Sequence, residues 1–344
     1  MRRIAVGAAE AWSGASRFAV VALLLLVIFV FFSIDQPDFL TNSNIQNLLS
    51  SVSILFVISV GMTFVVLTGG IDLSVGSLLA LTGLILSKLF SGAGLPIGVA
   101  VVLTIVLGAL IGGTVNGVLI GRVGLSFFVV TLGTLSLYRG IVNIWSGTKT
   151  TYINSTFISD LGFRKVAGLQ LPIWIMVVTF VLAFVVLRWT YFGRDVYAVG
   201  GNIEAARLSG INVPLTLVLV YAIAGLGAAI GGIIQDARLG AASPLVGEST
   251  PLDAAAAVLL GGTSFLGGVG GVTGTAVGVL FIGTLQNGLS IAGVSSFWQQ
   301  VVTGVILIVA IAIDRIQQGG RFRRAVEGGA HGPTSTAEPS VEDG

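Results

Sequence analysis

The chain has no cysteine, one histidine and three lysines. Without cysteine there is no disulfide framework, no thiolate metal site and no thiol nucleophile. The histidine, His331, lies in a polar C-terminal stretch, so the apolar body of the chain offers neither a His-ligated metal centre nor a Ser/His/Asp triad. Lys88, Lys149 and Lys165 all stand outside a G-K-[ST] context, and the chain therefore lacks a P-loop of its own for ATP. Charge is scarce as well: 9% of the 344 residues are Asp, Glu, Lys or Arg, against about 25% in an average soluble domain.

What fills the chain is apolar. Hydrophobic residues make up 54% of it and the mean hydropathy is +1.01. Runs long enough to cross lipid, about 17 to 25 residues, recur from one end to the other. This is the composition of an all-α polytopic membrane protein. Apolar runs between polar breaks predict about ten transmembrane helices, near 18–34, 51–68, 74–90, 97–120, 126–145, 171–190, 214–236, 252–268, 271–291 and 297–314. A re-entrant element within 252–291 is the alternative there. The first run follows Arg2, Arg3 and Arg17 and is not followed by an A-x-A cleavage pattern, so it reads as a retained signal anchor.

Basic residues set the orientation. With the N-terminus inside, Lys88, Arg139, Lys149, Arg164, Lys165 and Arg238 fall outside and the other eleven of the 17 fall inside, so the N and C termini are both expected to be cytoplasmic. The chain then divides into a cytoplasmic N-terminal segment 1–17, a transmembrane domain 18–314 with a cytoplasmic loop 190–213, and a Gly/Pro/Ser/Glu-rich tail 315–344 with the composition of disorder. Glycine is abundant, with 49 residues. The pairs Gly108/Gly112, Gly113/Gly117, Gly117/Gly121, Gly227/Gly231 and Gly274/Gly278 are spaced by four, which puts small faces on helices for close backbone approach.

Three stretches depart from plain apolar helix. The loop "TYFGRDVYAVGGNIEAARLSGINVP", residues 190–214, holds a helix of its own. Asn202 is its N-cap, Glu204 and Arg207 sit one turn apart, and Gly210 stands where a left-handed glycine stops it. The stretch "GMTFVVLTGGIDLSVGSLLALTG", 61–83, interrupts a span with Gly69, Gly70 and Asp72. There Asp72 or Ser74 can cap the helix that resumes, or the break can line a substrate path, and the two roles are compatible. A second break, "LLGGTSFLGG" at 259–268, resembles "LTGGIDLSVG" at 67–76. Amides inside spans, among them Asn116, Gln286 and Asn287, suit either interhelical hydrogen bonds or passage of a neutral polyol.

Glu204-Ala205-Ala206 followed at the right spacing by Gly210 resembles the E-A-A-x-x-x-G coupling motif of importer permeases of the ATP-binding-cassette superfamily. Together with "GMTFVVLTGGIDLSVGS", "GRDVYAVGGNIEAARLSGI" and "VLLGGTSFLGGVGGVTGTAVGVLFIGTLQNGLSIAGVSSFWQQVVTGVILIVAIAID", the chain from Phe39 to Asp314 resembles the ribose/pentose-type permease family of bacterial ABC sugar importers. Where members of that family commonly carry Tyr-Glu-Leu-Asp-Ala, this chain has Thr250-Pro251-Leu252-Asp253-Ala254. Pro251 suits the first turn of a helix, but a role of the missing pair does not transfer.

The resemblance implies a type II ABC importer-like permease fold in the bacterial cytoplasmic (inner) membrane. It implies a homodimer with the translocation path at its interface, cytoplasmic ABC ATPase subunits, an extracytoplasmic sugar-binding protein and contact with lipid, with no role in nucleic-acid binding. Asn202, Glu204, Ala205, Ala206, Arg207 and Gly210 would couple to the ATPase. Gly69, Gly70, Asp72, Ser74, Asn116, Gln286 and Asn287 are candidates for the path of a monosaccharide, a pentose or related polyol. The chain would bind no cofactor, catalyse no covalent step and leave ATP to its partners. An ion-coupled secondary sugar transporter is the alternative; it would draw on Asp72, Asp236 and Asp253.

Overall fold

The computed structural model describes the backbone of residues 2–329 and side chains within 19–313. Its elements run α1 (Arg2–Asp35), α2 (Asn42–Leu67), α3 (Val75–Ser87), α4 (Ile97–Ile111), α5 (Val118–Gly121), α6 (Phe127–Ser146), β1 (Thr151–Tyr152), α7 (Thr156–Phe163), β2 (Lys165–Val166), β3 (Leu169–Gln170), α8 (Leu171–Trp189), α9 (Tyr191–Gly201), α10 (Ile203–Leu208), α11 (Val213–Leu239), β4 (Ala241–Ala242), α12 (Thr250–Leu260), α13 (Val272–Ile291) and α14 (Ser296–Gly329). A π-helical turn at Lys88–Gly92 extends α3, and another at Gly112–Gly117 joins α4 to α5 into one rod.

Eight helices among the described residues are long and apolar enough to cross a membrane: Asn42–Leu67, Val75–Gly92, Ile97–Gly121, Phe127–Ser146, Leu171–Trp189, Val213–Leu239, Val272–Ile291 and Ser296–Ile313. Two shorter apolar helices, Ala19–Asp35 and Thr250–Leu260, occupy the other two predicted spans. The run predicted as a helix over 252–268 is helical only to Leu260. Beyond it the backbone turns at left-handed glycines, Gly262 (φ 86°), Gly267 (φ 87°) and Gly268 (φ 71°), a conformation that costs a side-chain-bearing residue about 1 kcal/mol or more. α14 continues to Gly329, and residues 330–344 of the expected tail lie outside the described residues.

The core is built around α2 and α11. Both are apolar on all sides, as helices surrounded by other helices are. Glycine sets how closely they pack: a Cβ on Gly61 would stand 2.7 Å from the Ala224 Cα, and one on Gly227 would stand 2.8 Å from the Val57 carbonyl oxygen. The predicted glycine face of the α4–α5 rod lies against α11 in the same way. A Cβ on Gly117 would be 2.8 Å from the Val218 Cα and one on Gly121 would be 2.7 Å from the Pro214 carbonyl oxygen.

α11 has 27 residues and is about 40 Å long. α10 leads into its first turn. At its other end α7 docks, with Gly162 beside the Ala237 carbonyl, so α7 and α10 mark opposite ends of the molecule. β1 and β4 pair antiparallel at the α7 end, Thr151 with Ala242 and Tyr152 with Ala241, and β2–β3 form a small hairpin. Arg139, assigned outside by the charge pattern, lies in α6 and donates from Nη1 to the Pro244 and Val246 carbonyls, 3.0 Å for Val246. It holds the segment before α12 against the helix bundle.

Candidate functional site

α10 is short, and its ends explain why it forms. The Asn202 side chain accepts from the Ala205 N–H at 3.0 Å, Arg207 Nη1 donates to Glu204 Oε1 at 3.1 Å, and Gly210 takes a left-handed φ of 86° just past the end. Ala206 is buried against Val199 and Val213 and anchors the helix to its neighbours. The opposite face is open: Ala205 is exposed, Ile203 is 43% exposed and Leu208 88%. Apolar side chains left this bare on a capped helix form a small surface ready to be covered.

The glycine break follows the end of α2. Gly69 turns the chain with φ 81°, and Gly70 packs where a Cβ would meet the Tyr221 hydroxyl at 3.0 Å. Asp72 and Ser74 are wholly buried. Asp72 Oδ1 accepts from the Ser74 N–H at 2.9 Å and from Ser74 Oγ at 2.6 Å, whereas the Ser74 side chain makes no capping bond to α3. Asn116, in the π-helical turn of the α4–α5 rod, donates from Nδ2 to Ser74 Oγ at 2.9 Å and to the Asp72 carboxylate at 3.3 and 3.4 Å. The π turn swings Asn116 into this contact, a common use of such a bulge. Asp72, Ser74 and Asn116 thus form one buried polar cluster, in which Asn116 Oδ1 has no hydrogen-bond partner among the described residues.

The two breaks seen in the sequence meet. The Gly268 N–H donates to the Leu67 carbonyl at 2.9 Å, and a Cβ on Gly69 would stand 3.3 Å from the Leu266 carbonyl oxygen. Gly200, in the last turn of α9, lies against both strands of this junction: a Cβ there would run into the Leu67 carbonyl oxygen and stand 2.6 Å from the Gly268 nitrogen. Tyr197, one turn earlier, donates its hydroxyl to the Gly270 carbonyl at 2.8 Å. Burial raises the pKa of this phenol above its ordinary value, which keeps it a donor. α10 is therefore joined through α9 to the end of α2 and to the loop that follows α12.

A cavity of about 340 Å³ runs beside this junction, lined by Gly69, Gly70, Tyr221, Ile203 and Arg207 among others. Two of the path candidates and one of the coupling candidates thus share one space. Gln286 and Asn287 lie elsewhere, on α13. Gln286 donates to Asp253 Oδ1 at 3.1 Å, while Asn287 and Asn44 exchange two amide hydrogen bonds, at 3.0 and 2.9 Å, that tie α13 to the start of α2. Sequence reasoning passed over Gly200 and Tyr197. For Gly200 a signal existed: Gly200-Gly201 just before the α10 cap is another of the glycine doublets seen at both breaks.

Residues 44–311 match the family described as branched-chain amino acid transport system / permease component. The ribose import permease protein RbsC of Escherichia coli (strain K12) is 42% identical over 304 residues, which cover 87% of this chain and 94% of that protein. RbsC of Bacillus subtilis (strain 168) is 45% identical over 298 residues, 85% of this chain and 90% of that protein. The D-allose transport system permease protein AlsC of Escherichia coli (strain K12) is 37% identical over 295 residues, 86% and 90% of the two chains. No solved structure matches the chain. With the match running through nearly all of the helical body, from α2 into α14, the chain belongs to the branched-chain amino acid transport system / permease component family.

Proposed function

We propose that this chain is the membrane-spanning subunit of an ABC importer that carries a monosaccharide into a bacterial cell across the cytoplasmic membrane. The observation that carries this reading is α10. It is a capped helix with an open apolar face, Ile203 and Leu208, beside Glu204, and it is rooted by Ala206 and α9 in the junction that closes two helix breaks. A helix so placed converts a push on its open face into movement of the α2 end and of the loop that follows α12. The relatives named above are permeases for ribose and allose, which supports a sugar as the cargo.

In this reading the eight long spans, Ala19–Asp35 and the half-span α12 make ten crossings of a type II importer-like fold. Both termini then lie in the cytoplasm with α10, in keeping with the basic residues gathered on that side. Two copies enclose the path, and two ATPase subunits dock on α10. An extracytoplasmic sugar-binding protein docks at the α7 end. Asn202, Glu204, Ala205, Ala206, Arg207 and Gly210 make the coupling surface. Gly69 and Gly70 flex beside the path, while Asp72, Ser74 and Asn116 hold the break in shape. The chain itself performs no covalent chemistry and ATP is consumed by its partners.

Uptake of labelled monosaccharides into proteoliposomes, with and without the partner ATPase, separates this from ion-coupled transport. The importer reading predicts that uptake vanishes without the ATPase and is indifferent to a proton or sodium gradient. Uptake that persists without the ATPase and follows a gradient overturns it.

A further inference from the structure

A second cavity, of about 390 Å³, opens at the α7 end of the molecule, near the low end of the range of about 300–1,000 Å³ common for small-molecule sites. Five elements converge on it. Ser51 comes from α2, Phe163 from α7, Gln235 and Arg238 from α11, Asp253 from α12 and Gln286 from α13. We infer that this cavity is a receiving site for one monosaccharide, a step that rests on the permease reading above and gives it a place where cargo is held.

The chemistry of the wall selects the ligand. Arg238 Nη1 donates to Ser51 Oγ at 2.7 Å, and Gln286 donates to Asp253 Oδ1 at 3.1 Å beside hydrogen bonds of the same carboxyl with Ser249 and Thr303, so each charged group is oriented by neutral neighbours. No ion pair joins Arg238 to a carboxylate among the described residues. Cation and anion line one space without cancelling each other by contact. An inorganic cation there meets Arg238 and an inorganic anion meets Asp253, so neither sign of ion is favoured. A neutral molecule carrying several hydroxyls fits both. A hydroxyl donates to the carboxylate and accepts from the guanidinium, and Gln235 and Gln286 offer both functions in their amides. Ile54, Leu55 and Phe163 supply an apolar wall for the C–H face of a sugar ring.

Position agrees with chemistry. α11 separates this cavity from the one beside Gly69 and Arg207, because Gln235 and Arg238 stand in its last turns and Val213 and Pro214 in its first. The cavity is at the end where the chain would meet its binding protein, and Asp253 sits on the half-helix α12, which is followed by the loop that forms the glycine junction. Interrupted helices at such a place are characteristic of transporter binding sites. Cargo held by Asp253 is thus mechanically connected to α9 and α10.

Saturation-transfer NMR on the full chain in nanodiscs, without partners, tests the site with D-ribose, L-arabinose, D-xylose and D-allose as probes. At least one sugar should bind saturably to the wild type, and Asp253→Asn and Arg238→Gln should each weaken it about tenfold, with thermal unfolding unchanged. Should a buried variant fail to fold, Gln235→Ala, a half-exposed position, should still weaken binding about threefold. Wild type that binds none of the four, or folded variants that bind as the wild type does, overturn the site. ATP-driven uptake in the same variants keeps the two readings apart. Uptake that depends on the ATPase but ignores all three substitutions removes the cavity and leaves the importer. Binding that depends on Asp253 and Arg238, in a protein whose uptake ignores the ATPase, removes the importer and leaves the sugar site.

Discussion

The backbone N–H of Gly268 donates to the carbonyl of Leu67 at 2.9 Å, joining the end of α2 to the loop that follows α12. Gly200 of α9 closes the junction from below, where no side chain fits. Contacts made by backbone alone leave little slack, so a displacement of α9 reaches both breaks together.

A methyl group at Gly200 tests this. Gly200→Ala must push α9 away from Leu67 and Gly268, an overpacking that costs about 1–3 kcal/mol. We expect the protein to assemble in membranes with a lowered Tm and to lose most ATP-driven uptake while its ATPase partner still turns over. Gly201→Ala, one residue on with no neighbour near its Cβ position, is the control and should transport normally.

Asp72 is held by Ser74 and Asn116 in a buried cluster, and its removal leaves the Ser74 N–H and hydroxyl without an acceptor while Asn116 keeps its bond to Ser74 Oγ. Asp72→Ala should cost about 3 kcal/mol in chemical or thermal unfolding, and Asp72→Asn, which keeps the shape and an acceptor, about 1 kcal/mol. Equal losses for the two variants would mean that charge, and not capping, is what the break requires.

The paired amides of Asn44 and Asn287 predict an energetic coupling between α2 and α13. In a double-mutant cycle with leucine at each position, either single change strands the other amide, and the double change removes both. The coupling should come out near 1 kcal/mol, in the range of hydrogen bonds between membrane helices. A value indistinguishable from zero would assign the pair to something other than tethering.

Much of this was legible in the sequence because the underlying signals are local. Apolar runs bounded by polar residues marked the spans, and the cap at Asn202, the Glu204–Arg207 pair and the left-handed Gly210 all follow from spacing within ten residues. The bond of Asp72 to Ser74 is as local, two residues apart. The half-helix α12 was harder. "GGTSFLGGVGG" is apolar enough to read as membrane helix, and hydropathy does not register that its glycines turn left-handed. α7 and β1–β3 fall between the predicted spans 126–145 and 171–190, and β4 between 214–236 and 252–268, in stretches that hydropathy marks only as not spanning. The contacts of Asn116 with Asp72, of Gly200 with Leu67 and of Arg238 with Ser51 join residues 44, 133 and 187 positions apart, and a single sequence carries no sign of which distant groups face each other.

The coupling role of α10 is the central claim, and Glu204→Arg tests it most directly. The side chain is exposed and lies beside bare Ile203 and Leu208, so the change alters the docking surface and leaves the core untouched. ATP-driven uptake would be measured in proteoliposomes containing the variant chain, its ATPase and its binding protein, alongside co-purification of the ATPase and the Tm of the variant. The account predicts a Tm within a degree or so of wild type, loss of the ATPase from the complex and uptake reduced to background. A folded Glu204→Arg protein that keeps its ATPase and takes up sugar at the wild-type rate would contradict it.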